Sequence, residues 1–293
     1  MTTHRIRRRT LLAQTACAAL AAAAPRVLAA EQAPAGKWKM KLSTSTIQFT
    51  RLPVEQAIER IAGLGFEAVD IWSPHAKCPH LDDVQNRLKA DGLKQLLDKN
   101  KIKLYAFSVY AGGYAKYADL LGQMGGGIAI HGSAGRVKDP KDLVPATKKF
   151  FENLKGEAEL AEKHDSYIAV ENHGGSLLCT LDSFKAFVDH NPYKRVGIAL
   201  APYHVQAARQ SVEQAIATCG KQLLFFYAWQ NAPGVQQLPG LGPTDVTPWL
   251  AELAKIGYAH YVNPFMHHEP PSDEMVEALK KSKAYLEECY KKI

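Results

Sequence analysis

The feature that most constrains this chain is an unbroken alternation. Apolar runs rich in β-branched and aromatic residues fall at 40–49, 68–72, 103–110, 128–131, 167–171, 196–200, 223–229 and 260–264. Each reads as a strand. Helical periodicity follows every one, at 53–64, 84–99, 114–124, 144–164, 181–189, 212–219, 246–256 and 275–289. Val54, Ala57, Ile58 and Ile61 form one apolar stripe, and Leu88, Leu93, Leu96 and Leu97 another. Eight strand–helix pairs in series predict an α/β fold, a parallel (β/α)8 TIM barrel. A doubly wound sheet is the nearest alternative. It lacks its usual signal here, because no glycine-rich loop follows the first strand. Gly125-Gly126-Gly127 stands before a strand, so it reads as a helix stop and turn.

Residues 1–30 belong to a different kind of segment. Arg5, Arg7, Arg8 and Arg9 are followed by an Ala-rich apolar stretch and small residues near Ala29 and Ala30. That order reads as a secretory signal, too short to span a bilayer comfortably. Arg8-Arg9-Thr10-Leu11-Leu12 resembles the twin-arginine motif, which implies export to the periplasm of a bacterium in the folded state. Residues 31–39 read as a polar linker and 40–293 as the barrel.

Five of the 36 basic residues leave with the signal, so 31 remain against 29 acidic ones, a formal charge of +2. No basic patch with interleaved aromatics remains, which argues against a nucleic-acid partner. No further membrane span is expected, and self-association is left open. Cys78, Cys179, Cys219 and Cys289 are widely spaced and form no CxxC pair. They read as small buried residues, with one bridge open to an exported chain.

Three segments carry a resemblance. Ile61-Ala62-Gly63-Leu64-Gly65-Phe66-Glu67-Ala68-Val69-Asp70-Ile71 is similar to the "A-x-x-G-[FY]-x-G-V-E" passage of sugar isomerase and epimerase barrels. Tyr167-Ile168-Ala169-Val170-Glu171-Asn172-His173 resembles their "V-x-[VIL]-E-N-H". Gly197-Ile198-Ala199-Leu200-Ala201-Pro202-Tyr203-His204 resembles their "G-x-x-x-D-x-x-H". The chain therefore resembles the xylose-isomerase-like TIM barrels, which typically bind one divalent metal through Glu, Asp, His and Glu on strands five to eight. Glu171 matches the first ligand. Ala201 stands at the Asp position and Tyr227 at the His position, and strand eight offers no Glu at the expected level; Glu269 lies about six residues late. The resemblance thus implies a degenerate or rebuilt site.

Glu171 is the leading candidate for general base or metal ligand, since it ends an apolar strand where a barrel's active face begins. His204 matches a family histidine near the substrate. Glu171, His173, His204 and His267 together would make a nitrogen-rich site suited to Zn, Fe or Co, with Mn as the family's alternative. His267 and His268 are adjacent, so at most one of them points inward. Trp72, His131, Tyr227, Trp229 and Gln230 are candidate substrate contacts, Trp229-Gln230 standing where the family has Lys-Asp. Tyr110 and Asp70 lie at similar levels. Aromatic faces there suit the apolar side of a sugar ring. Lys77, Arg136 and Lys138 fall in loops and read as solvated surface.

The expected activity is isomerisation or epimerisation of a carbohydrate or polyol, begun by proton abstraction beside a carbonyl. Two alternatives stand beside it: a lyase or hydratase acting on an oxidised sugar, and a non-catalytic barrel that binds carbohydrate or protein. A metal-dependent abasic-site nuclease would need a richer ligand cluster, and fits export poorly.

Overall fold

The computed structural model describes residues 37–133 and 135–293. The expected signal and most of the linker lie outside the described residues. Eight parallel strands close into one barrel in chain order. They are β1 (Lys41–Ser45), β2 (Ala68–Trp72), β3 (Lys103–Ser108), β4 (Gly127–Gly132), β5 (Ser166–Glu171), β6 (Val196–Leu200), β7 (Leu223–Ala228) and β8 (Tyr261–Pro264). β8 returns to β1 through Lys41↔Tyr261 and Leu42↔Val262.

Period-two alternation sorts the side chains into two cores. Val69, Ile71, Phe107, Ala129, Ile168, Val170, Ile198, Leu200, Phe226 and Val262 face outward into the layer shared with the helices. Ala68, Trp72, Ile128, Ile130, Ala169, Ala199, Phe225 and Tyr227 fill the barrel itself. The strands are buried on both faces, which is why they read as continuous apolar runs. At the N-terminal end Tyr105 closes the axis: its hydroxyl donates to the Leu224 carbonyl at 2.7 Å, and its ring stacks on Phe225 at 4.8 Å.

Several boundaries differ from expectation, and each difference shapes the site end. The first strand stops at Ser45, and Thr46–Phe49 turns as a 3-10 helix whose Thr46 hydroxyl accepts the Trp72 amide. The second helix starts earlier, at His80–Asp83, passes through a π turn at Val84–Leu88 and continues as Lys89–Asn100. An unexpected helix, Pro202–Ala207, follows β6 with proline in its first turn, and it carries His204. The triple glycine behaves as read: Gly126 has φ +87°, and a Cβ there would meet the Asp165 carbonyl oxygen. All four described cysteines are free, so the bridge left open is not formed. Trp38, read as linker, is tied down: its indole donates to the Tyr258 carbonyl, and its own carbonyl accepts the Tyr290 hydroxyl at 2.7 Å. Among the described residues no helix is long and apolar enough to cross a membrane.

Candidate active site

A cavity of about 410 Å³ opens at the C-terminal ends of the strands. Its wall is aromatic. Trp229 stacks on Tyr203 at 4.4 Å, Trp72 stacks on Phe265 at 5.4 Å, and His267 stands edge-on to Trp229 at 5.2 Å. Alternation on β7 points Phe225 and Tyr227 into the barrel, and Trp229, turned just past the strand end by its amide's bond to the Tyr227 carbonyl, is the one that lines the cavity. Gln237 braces the rim. It accepts the Trp229 indole N–H at 2.7 Å and the His267 amide at 3.1 Å, and donates to the His267 carbonyl. No lysine or arginine lines the cavity among the described residues.

Glu171 ends β5 and lines the cavity while only 8% exposed. Burial pushes its pKa up to about 7, partly countered by the hydrogen bond that Tyr110 donates to Oε2 at 2.7 Å; nearby Asp70 raises it further. Tyr110 in turn lies 3.1 Å, hydroxyl to hydroxyl, from Tyr227. Nearby, Ser108 donates to Asp70 at 2.9 Å. Asp70 is fully buried and accepts Ser45 at 2.7 Å and the Trp72 indole at 2.6 Å. Burial raises it to about 7 despite those donors. Two hydrogen-bonded groups therefore stand at and beneath the cavity: Glu171 with Tyr110 and Tyr227, and Asp70 with Ser45, Ser108 and Trp72.

His173, His204 and His267 line the cavity as well. His204 lies 4.2 Å, ring centre to ring centre, from His173. Desolvation, then repulsion from His173 and His267, lowers His204 to about 3; desolvation first of all lowers His267 to about 4. Both imidazoles are neutral near pH 7 and act as hydrogen-bonding groups rather than charges.

Of the residues expected from sequence, Glu171, His173, His204, Trp72, Trp229 and His267 line this cavity. Three do not. His131 points outward, because Ile130 takes the inward phase of β4; its Nε2 lies 3.6 Å from Glu157 on the surrounding helix Leu143–Lys163. Gln230 is buried in a loop brace, donating to the Leu238 carbonyl and accepting the Thr244 amide. Tyr227 lies one layer below the cavity and meets it only through Tyr110. Tyr203, Gln237, Ser133 and Ser176 line the cavity and were not expected. They sit on loops and a short helix that carry no periodic signal. Only Tyr203, inside the "A-P-Y-H" segment, had a nearby motif.

The profile of the family described as "Xylose isomerase-like TIM barrel" matches residues 58–289, most of the chain. The chain belongs to the xylose isomerase-like TIM barrel family. No curated protein matches it in sequence. Solved structures do. It is similar to 3-keto-D-glucoside 4-epimerase YcjR from E. coli, at 17% identity and TM-score 0.65, over 84% of this chain and all of that one. It is similar to the probable 3-DHS dehydratase AsbF from Bacillus anthracis, at 14% identity and TM-score 0.64, over 82% and 98%. D-psicose 3-epimerase from Clostridium cellulolyticum H10 is similar at 19% identity and TM-score 0.63, over 85% and 98%. At such identities the likeness is one of fold, and an epimerase and a dehydratase both share it.

As a xylose isomerase-like barrel the chain departs from the metal-binding pattern. Ala201 has no donor atom, Tyr227 offers a phenol held in hydrogen bonds, and Asn263 on β8 is engaged with Ser43 and Ser45. The rebuilt set does not converge either. Glu171 is engaged by Tyr110, and His267 is held among Trp229, Trp72 and Phe265. Among the described residues no group of three or more His, Cys, Asp or Glu side chains is placed to hold an ion. The donors present do not fit the family's ion.

Proposed function

We propose that this chain is an exported enzyme that isomerises or epimerises an uncharged carbohydrate by moving a proton beside its carbonyl, with Glu171 as the base. The observation that carries the reading is Glu171 itself. A carboxyl raised to about 7 stands in an aromatic-walled cavity at the active face of the barrel. A base near neutrality both takes and returns a proton readily. The stacked Trp229–Tyr203 pair offers a flat face to the C–H side of a sugar ring. His173, His204, Ser133 and Ser176 present polar groups to hydroxyls. The absence of lysine and arginine among the described lining residues favours a neutral sugar over a phosphorylated one, and the proposed export is in keeping with that. Loss of water from a ketone-bearing sugar would share the same first step.

The substitutions at Ala201 and Tyr227 favour one rival, a barrel that binds sugar without turning it over. The two are separated by incubating the mature protein with neutral aldoses and ketoses in D2O and following the C–H beside the carbonyl by NMR. Exchange that Glu171→Gln removes supports the enzyme. Binding without exchange for every sugar would leave the binding barrel.

A further inference from the structure

Abstracting that proton leaves negative charge on the carbonyl oxygen, and a donor must meet it. A barrel with its ligands intact would use the ion. Here the residues at the ligand positions do not fit one, and the hydroxyls beside Glu171 are two phenols. Tyr110 lines the cavity and donates to Glu171 at 2.7 Å. Tyr227 is fully buried 3.1 Å behind it, its ring packed between Phe225 and Phe265. Burial and the neighbouring carboxylate hold both phenols well above their usual range, so both keep their protons.

Resting on the reading of Glu171 as base, we infer that Tyr110 is the group that stabilises the enolate oxygen, and that Tyr227 is the positioning residue that aims it. The coupling lies in the shared hydrogen bond. While Glu171 is ionised, it is the strongest acceptor in reach of Tyr110. When the substrate C–H bond breaks, its electron pair moves onto the carbonyl oxygen and its proton lands on Glu171. The charge has then moved from the carboxylate to the substrate. The Tyr110 O–H follows it, because a charged acceptor makes the stronger bond. Tyr110 keeps its proton throughout and only redirects it. Returning the Glu171 proton to the neighbouring carbon on the same face, while the hydroxyl proton of the enediolate passes to the oxygen that carried the charge, collapses the intermediate to the isomer and restores the starting enzyme. No outside oxidant, reductant or co-reactant enters.

The probe is D-arabinonohydroxamic acid, an enediolate mimic, against D-arabinitol, a matched polyol. Binding to the mature protein is measured calorimetrically in EDTA, so that chelation cannot supply the preference. The wild type is expected to favour the hydroxamate by about tenfold or more, one good hydrogen bond's worth. Tyr110→Phe should erase that preference while D-arabinitol binding changes by less than about twofold. Tyr227→Phe should lose part of it, and keeps the test decisive if Tyr110→Phe melts early. In the exchange assay Tyr110→Phe should lower kcat about 10²-fold with little change in KM. A preference that survives in Tyr110→Phe, or that the wild type lacks in EDTA, overturns the role of Tyr110 and leaves Glu171 as base untouched. Failure of both probes to bind, with no sugar exchanging, overturns both readings together.

Discussion

Single residues set the pH behaviour of this site. Glu171 is raised to about 7 and acts as a base only when ionised. Exchange should therefore rise with pH, pass half-maximum near 7, and stand at roughly a tenth of its plateau one unit lower. Glu171→Gln should lower the rate by about 10²–10⁴-fold across the profile. Asp70, raised from 3.8 to about 7, makes a separate prediction about folding. A carboxyl whose folded pKa lies above its unfolded value binds more protons when folded, so its contribution is present at low pH and is lost as pH rises through the folded pKa. His204 and His267, lowered, act in the opposite sense, so the informative quantity is a difference. Between pH 5 and 8 the melting temperature of Asp70→Asn should fall by several degrees less than that of the wild type, read by calorimetry. Glu171 was legible because it ends an apolar strand, and a charge there has few structural uses. His131 misled because the last residues of a strand alternate in phase. Whether Ile130 or His131 faces inward depends on register, which pairing with β5 decides and local sequence does not.

At the scale of elements, the loop after β7 separates two glutamines that look alike in sequence. Gln230 ties the loop to itself, while Gln237 holds Trp229 and His267 in place. Gln230→Leu strands the buried Leu238 carbonyl and the half-buried Thr244 amide and should cost about 1–3 kcal/mol in urea unfolding. The folded fraction should still bind D-arabinitol nearly as well. Gln237→Leu should cost a similar amount, about 1–3 kcal/mol, and should also weaken the polyol by about tenfold, since it frees both aromatic walls. If the two variants bind alike, the rim brace has been misplaced. The helices and strands were readable from periodicity to within a few residues. The Pro202–Ala207 helix was not: at six residues it is too short to show a period.

For the whole molecule, the eightfold alternation gave the barrel because strands buried on both faces leave a plain apolar signature. The hydrogen-bonded line from Glu171 to Tyr227 was invisible for the opposite reason. It joins β5 and β7 through Tyr110 beyond β3, and exists only once the barrel has closed. The proposed export is a whole-molecule matter as well. Exchanging Arg8 and Arg9 for lysine should leave the protein inside the cell, as read by fractionation and immunoblot; unchanged delivery to the periplasm would point to the general secretory route instead.

The tyrosine at 227 also bears on how freely this barrel can change. Its ring packs on Phe225 at 4.5 Å and Phe265 at 4.9 Å, and its hydroxyl meets Tyr110. Tyr227→His alone would open a void beneath Tyr110 without completing a ligand set. Ala201→Asp alone would bury a carboxylate with no cation beside it, since Ala201 is fully buried. Each single step back toward an ion is unfavourable until the others are taken. The site behaves as a ratchet: an ancestor that bound metal would have found the way in easier than this chain would find the way out.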